Sequence, residues 1–424
     1  MAPARAVPPR AAPSPRPGMV ARISLGARAT ADSGSYFLLL GTTVFLVALG
    51  LVMVLSSSSV ESVAAGRGFL GDFLTQGGAA LIGLPLMLIL STLPARFWRW
   101  IATPALISSA LLQLLVFTGL GTEYGGNRNW LDLGFVDVQP SEVTKVALVL
   151  WLGNVLASRQ HLLGNGKRLL WLVVPVPGFV ILLVLLGKDL GTVLIMAAMV
   201  FGALFFAGVR LRFLALGAGA ATALALLMAQ VSSSRVERIQ AWLSGCQTDY
   251  LGACWQVQHG TWALAAGGFF GVGLGNSKAK WSWLPEADND FIFAVIGEEL
   301  GLLGAVVVLL LFVVLAVAFV RIVEGTTDPF ARIVTSGIMV WVLVQAFVNI
   351  AVILGLLPVL GVPLPLISAG GTSLLTTLGA LGIVLSFARS RPDDLRLGTG
   401  TGGVPAGRGA RFGGPVAVGR TVRR

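Results

Sequence analysis

The chain has 424 residues, of which 55% are hydrophobic and only 12% charged, and its formal net charge is +11. A soluble globule of this length covers its surface with charged residues at about a quarter of its composition, so an ordinary water-soluble domain is excluded. A nucleic-acid partner is not expected either. The basic residues fall between long apolar runs and in two terminal stretches, with no aromatic-interleaved basic face.

Residues 1–35 are rich in Pro, Ala and Arg and lack periodicity, which predicts a disordered cytoplasmic tail. Apolar runs follow at roughly 36–55, 73–91, 101–120, 140–157, 169–187, 190–208, 213–231, 291–320, 331–356 and 366–388. At about 1.5 Å per residue, each approaches or exceeds the hydrocarbon thickness of a bilayer. The first run is uncharged and too long for a signal-peptide core, so it reads as an uncleaved helix. A second Pro-, Gly- and Arg-rich tail occupies 391–424.

Lys and Arg set the orientation. With the N-terminus cytoplasmic, 22 of the 30 basic residues lie inside, 7 outside, and Lys145 within a span. The expected architecture is therefore all-α: a polytopic membrane protein of about ten transmembrane helices spanning 36–390, both termini cytoplasmic. A large extracytoplasmic loop, 232–290, separates the seventh and eighth spans. Trp242, Trp255, Trp262, Trp281 and Trp283 within it suit the headgroup level. Cys246 and Cys254, the only cysteines, both fall in this loop, where an oxidising exterior favours a disulfide.

Polar residues in such a chain are costly and therefore informative. The fourth span opens Gln139-Pro140-Ser141-Glu142-Val143-Thr144-Lys145, with Pro140 suited to a first helical turn. Glu142 and Lys145 stand three apart, share one face and are expected to pair, as an interhelical lock, a polar cavity wall, or both. Before that helix, Arg128 offers a fork for phosphate and Trp130 an interfacial ring. Lys188 and Asp189 occupy a tight outer turn, with Lys188 the candidate for pyrophosphate.

The densest cluster is Glu286, Asp288 and Asp290, immediately before Phe291-Ile292-Phe293-Ala294. Helix capping explains one such acid, but three beside a tryptophan-rich loop suggest a carboxylate held as a general base. Position alone does not choose among the three. Glu298 and Glu299 fall a turn or more into the same helix, one expected to face another helix or a polar cavity and the other to mark the interface. Gly267, Gly268, Gly271, Gly273 and Gly275 read as small residues allowing close approach to lipid headgroups, since no strand precedes them to make a nucleotide fold. Pro363 to Ser373 reads as a broken or re-entrant start to the last helix.

The segments Trp130–Lys145, Lys188–Thr192, Leu284–Gly301 and Pro363–Ser373 carry a family resemblance. In order and position the chain resembles the SEDS family (shape, elongation, division and sporulation), which includes FtsW and RodA, over roughly 36–390. Gly273 to Lys278 looks most like the division branch. The resemblance implies a peptidoglycan glycosyltransferase that polymerises lipid II, with Asp290 as its catalytic aspartate and Glu142–Lys145 as the family's ion pair. It also implies a class B penicillin-binding protein and other divisome membrane proteins as partners. The expected substrate-binding set is Arg128, Trp130, Glu142, Lys145, Lys188, Gln258, Lys280, Glu286, Asp288 and Ser368. Two departures stand out: Asp288-Asn289 replaces the family's His-Thr, and Ala369 replaces a Tyr. The extra acid would raise the pKa of Asp290 by like-charge repulsion or recruit a divalent cation, magnesium or manganese. A lipid II flippase, an elongation or sporulation polymerase and a non-catalytic septal scaffold are the competing readings; only a polymerase makes glycan from lipid II.

Overall fold

The computed structural model describes residues 33–389 except 65, 67, 69, 125, 135–136, 164–170, 172, 231–232, 247–253, 282–283. Apart from residues 33–35, both tails lie outside the described residues. A helix forms within each apolar run: α1 (Ser33–Ala64), α2 (Gly71–Leu90), α3 (Ala95–Leu115), α4 (Pro140–Ser158), α5 (Pro175–Leu186), α6 (Leu190–Phe206) and α7 (Leu211–Gln230). Two shorter helices follow in the large loop, α8 (Ser233–Leu243) and α9 (Trp255–Gly267). The last three are α10 (Ile292–Gly325), α11 (Pro329–Ile353) and α12 (Gly371–Arg389).

Among the described residues, α1, α2, α10, α11 and α12 are long and apolar enough to cross a membrane, and α5 to α7 supply shorter apolar stretches. The chain is a polytopic membrane protein. The bundle is inside out relative to a soluble protein: Leu81, Ile82, Trp100, Ile107 and Leu111 are exposed on the outer faces of α2 and α3. Such faces are stable only against hydrocarbon. At the centre stands α11, which packs on α3, α4, α6, α9, α10 and α12.

Three features differ from the expectation. First, a small antiparallel sheet joins α3 to α4, so the described residues are not wholly α. Its strands are β1 (Gly121–Tyr124), β2 (Asn127–Asp132) and β3 (Asp137–Val138), in that order. Thr122 faces Trp130, and Leu131 faces Val138.

Second, α1 continues to Ala64 through its serine run instead of ending near Leu55. The hydroxyls of Ser57 and Ser58 do not compete with the helix, because they bond back to carbonyls within it. Ser57 donates to Met53 O at 2.9 Å and Ser58 to Val54 O at 2.7 Å.

Third, Gly267 and Gly271 pack against protein backbone, while a Cβ on Gly268 or Gly275 would meet open space. Helix α10 breaks at Gly301 (φ 69°, ψ −167°), which frees backbone groups inside the bundle. The chain at 268–273 takes them up. Val272 N donates to Glu298 O and Gly273 N to Glu299 O, both at 3.0 Å, while Leu302 N donates to Gly268 O at 2.9 Å. A Cβ on Gly267 would collide with the Gly297 carbonyl, and one on Gly271 with the Glu299 carbonyl. Only glycine permits this lacing.

The same lacing consumes both glutamates of the helix. Glu298 accepts from Ser277 Oγ, from Lys278 N at 2.9 Å and from Ala279 N at 3.3 Å. Glu299 accepts from Ser56 Oγ at 2.6 Å and lies 3.6 Å from Lys280 Nζ. Both carboxylates are buried, and both are bound to protein.

Gly301→Ala must force a side chain into a left-handed conformation and against the Gly271 and Phe269 backbone. Backbone strain alone costs about 1–3 kcal/mol. The purified variant should unfold several degrees below the parent in a detergent thermal melt. Gly77→Ala, where a Cβ meets open space within α2, should leave the midpoint unchanged.

Candidate active site

The turn Leu284–Phe291, between α9 and α10, presents the acidic cluster. It is closed locally by Phe291 N donating to Glu286 O at 3.0 Å, with Glu286 at φ 56°. Three consecutive carbonyls are then clamped from outside the turn. Asp288 O accepts from Ala369 N at 2.9 Å. Asn289 O accepts from Ser368 Oγ at 2.7 Å. Asp290 O accepts from Asn349 Nδ2, also at 2.7 Å. The donors come from α11 and the segment before α12, so that one helix and the segment together fix the backbone of this turn.

That clamp is itself supported. Asn349 Nδ2 also reaches Val362 O at 2.8 Å, and Gln76 of α2 brackets the 368–370 segment through Ser368 O and Gly370 N. The irregular segment expected at 363–373 is non-helical as far as 370, where α12 begins, and neighbouring helices supply partners for its polar groups, as burial in a membrane bundle requires.

The Asp290 side chain opens onto a cavity of about 260 Å³. Its walls include Asn127, Asn129 and Trp130 of β2, Gln139 and Glu142 at the start of α4, and Asp189 at the start of α6. Arg238 of α8, Glu286 and Gly361 complete the side around the aspartate. The carboxyl of Asp290 is pushed up to about 7, first by burial and next by the charge of Glu286. Asp189 and Asp288 add to the rise, and Arg238 opposes it. A carboxyl with that pKa is protonated or ionised in comparable amounts near neutrality, as suits a group that must accept and release a proton.

Glu142 and Lys145 form a fully buried ion pair at 2.7 Å. Glu142 lines the cavity while Lys145 is sealed behind it. The ammonium reaches Gln345 Oε1 at 3.1 Å and sits 4.5 Å from the centre of the Trp341 ring. Gln345 in turn accepts from Trp341 Nε1 at 2.8 Å and donates to Pro363 O at 3.0 Å.

Of the residues read from sequence, the structure brings Asp290, Glu286, Trp130 and Glu142 together on the cavity wall. The others lie elsewhere. Arg128 donates through Nη2 to Thr118 O at 2.6 Å, and Lys188 is exposed in its turn at φ 64°. Lys280 donates to Gly275 O at 2.5 Å, beside Glu299. Gln258 donates to Cys246 O at 2.6 Å and so anchors α9 to the loop closed by the Cys246–Cys254 disulfide. Asp288 and Ser368 act through the backbone clamp, and neither is on the cavity wall. Among the described residues, no group of three or more His, Cys, Asp or Glu side chains is arranged to hold a metal ion.

Sequence reasoning missed Asn129, Gln139 and Arg238, and of the 188–189 pair it is Asp189 that lines the cavity. Asp189 caps α6 by accepting from Thr192 N at 2.9 Å, and it accepts from Asn129 Nδ2 at 2.8 Å and Gln139 Nε2 at 3.3 Å. An N-cap signal, Asp immediately before an apolar run, was available for Asp189. Nothing comparable marks Arg238, whose role depends on how α8 docks.

Fold and site together define a many-helix membrane protein with an acid-walled cavity at the head of an interrupted helix. Residues 37–392 match the FtsW/RodA/SpoVE family model, described as "Cell cycle protein". The chain belongs to that family, also known as SEDS. It is 38% identical over 360 residues to the "Probable peptidoglycan glycosyltransferase FtsW" of Mycobacterium tuberculosis, covering 85% of this chain and 68% of the relative. It is 35% identical to the "Stage V sporulation protein E" of Bacillus subtilis over 83% of this chain and 96% of that one. Among solved structures, the crystal structure of the rod shape determining protein RodA of Thermus thermophilus aligns with a TM-score of 0.61 at 28% identity. It covers 83% of this chain and 96% of RodA. A chain solved under the description "Structural coordination of polymerization and crosslinking by a peptidoglycan synthase complex" aligns at 0.66 and 29% identity, covering 83% and 96%.

The buried pair gives a test of the wall. Removing one partner leaves an uncompensated charge and costs about 3–5 kcal/mol, whereas replacing both with apolar or neutral groups costs far less. Glu142→Gln and Lys145→Met should each lower the melting midpoint sharply. The double variant should melt above either single one.

Proposed function

We propose that this chain is a peptidoglycan glycosyltransferase of the division branch, polymerising lipid II at the outer face of the bacterial plasma membrane. In this reading it crosses the bilayer ten times, keeps both termini in the cytoplasm and opens its cavity outward. It works at the septum with a class B penicillin-binding protein and other divisome membrane proteins. The observation that carries the reading is Asp290, a carboxyl with a pKa of about 7 held by a fixed backbone at a polar cavity. The likeness to proteins described as peptidoglycan glycosyltransferases supplies the substrate class.

Asp290, ionised, accepts the proton of the 4-hydroxyl on the acceptor N-acetylglucosamine. The freed oxygen pair forms a bond to C1 of the terminal N-acetylmuramic acid of the growing strand. The bond from C1 to the pyrophosphate oxygen breaks, and its electron pair leaves with undecaprenyl pyrophosphate. Attack from the opposite face inverts C1 and gives a β-1,4 link. The leaving group already carries stable charge, so no strong general acid is demanded.

Purified parent protein should convert lipid II to glycan, whereas Asp290→Asn and Asp290→Ala should lose at least about a hundredfold in rate, the scale of general-base removal. Wild-type polymerisation by the Asp290→Ala protein would sink the assignment. Exchange of lipid II between leaflets without glycan would favour the flippase reading.

The raised pKa fixes two signs. The active base is the ionised form, so the single-turnover rate should climb through about pH 7 and level off above it. For stability, the folded state binds this proton more tightly than an unfolded chain does at the ordinary value of 3.8. Stability contributed by the protonated form is therefore present below about 3.8 and is lost as pH rises towards 7. Asp290→Asn, which cannot ionise, should melt no lower than the parent at pH 8 despite being inactive.

A further inference from the structure

An acid-walled cavity is a poor host for a pyrophosphate unless a cation is supplied. Glu142, Asp189, Glu286 and Asp290 all line the cavity, and among the described residues Arg238 is the one Lys or Arg that joins them. The other cations of the expected substrate-binding set are not on this wall: Arg128 donates to Thr118 O, Lys145 pairs with Glu142, Lys280 donates to Gly275 O, and Lys188 is exposed in its turn. Arg238 makes no hydrogen bond or ion pair among the described residues, although its charge is felt at Asp290.

The helix that carries it is pinned on either side. Arg235, Arg238 and Trp242 stand at i, i+3 and i+7 and so share one face of α8. Arg235 Nη2 donates to the Lys188 carbonyl in the turn before α6. Trp242 Nε1 donates to Gly355 O at 2.9 Å, just beyond α11. The disulfide from Cys246 to Cys254 closes the loop that follows α8. A guanidinium on such a face is presented at a set position, and its planar fork matches two phosphate oxygens.

We propose that Arg238 is the pyrophosphate ligand of this cavity, binding a polyprenyl-linked pyrophosphate and stabilising the negative charge that gathers on it as it leaves. The inference rests on the glycosyl-transfer reading for the leaving-group role, but not for the binding itself. Its second consequence is electrostatic. With pyrophosphate on Arg238, the cation is less able to hold Asp290 ionised, so ligand binding favours the protonated acid that exists after proton transfer.

Binding can be separated from turnover by working in Asp290→Asn protein in detergent and titrating farnesyl pyrophosphate, inorganic pyrophosphate and farnesol. Adding Arg238→Gln should weaken both pyrophosphates by about tenfold or more, the scale of a lost hydrogen bond to a charged group. Farnesol binding should not change, and Arg238→Lys should recover part of the pyrophosphate affinity. In the active background, Arg238→Gln should lower the polymerisation rate and move the apparent pKa of its pH profile upward. The proposal is overturned if the Asp290→Asn protein fails to bind farnesyl pyrophosphate. It is also overturned if Arg238→Gln binds it as tightly, or loses farnesol in the same proportion. Should Arg238 govern pyrophosphate binding in a protein that makes no glycan from lipid II, the proposed reaction fails and this assignment stands.

Discussion

Backbone groups that leave a helix inside a bilayer have no water to fall back on, and this protein leaves its helices at its most consequential places. The break at Gly301 and the irregular approach to α12 both create free donors and acceptors. In each case another stretch of the same chain supplies the partners. The segment 268–273 covers the first, and α2 with α11 covers the second. The second repair also holds the turn bearing Asp290, through Asn349, Ser368 and Ala369.

Charge is arranged on that frame with unequal commitments. Glu298 and Glu299 are saturated by hydroxyls, amides and Lys280, and they serve the fold. Glu142 is balanced by its own lysine, and Asp189 by two side-chain amides and a helix N-terminus. Asp290 has its backbone carbonyl bound but its carboxyl crowded by other acids. Rigid placement together with an unsettled proton is the combination expected of a reacting group, since stability and catalysis ask opposite things of a buried acid.

How much of this could be read beforehand depends on whether a residue's role was local. The apolar runs, the face shared by Glu142 and Lys145, and the acidic cluster before Phe291-Ile292-Phe293-Ala294 are all local patterns, and each was legible, although only the family resemblance singled out Asp290 within the cluster. The sheet at 121–138 was not, because short strands beside a membrane leave little alternation to detect. Lys188 and Asp189 show the limit plainly. Adjacent residues in a tight turn point apart, and only packing decides which one enters the cavity. Ser368 and Asn349 act on backbone carbonyls distant in sequence, so no spacing rule could announce them. Gly267 and Gly271 were legible as a close approach but not as an approach to the α10 backbone.

The side chain of Gln345 bears on more than its own helix. It accepts from the lysine behind Glu142 and from Trp341, and it donates to the carbonyl of Pro363, at the start of the segment that carries Ser368 and Ala369. One amide thus couples the wall of the cavity to the strap that aims its acid. A genetic screen for loss of function would then return alleles in the bundle interior, silent in any docking calculation, alongside those at the reacting atoms. Their defect would be one of alignment, recognisable because substrate still binds while turnover is lost.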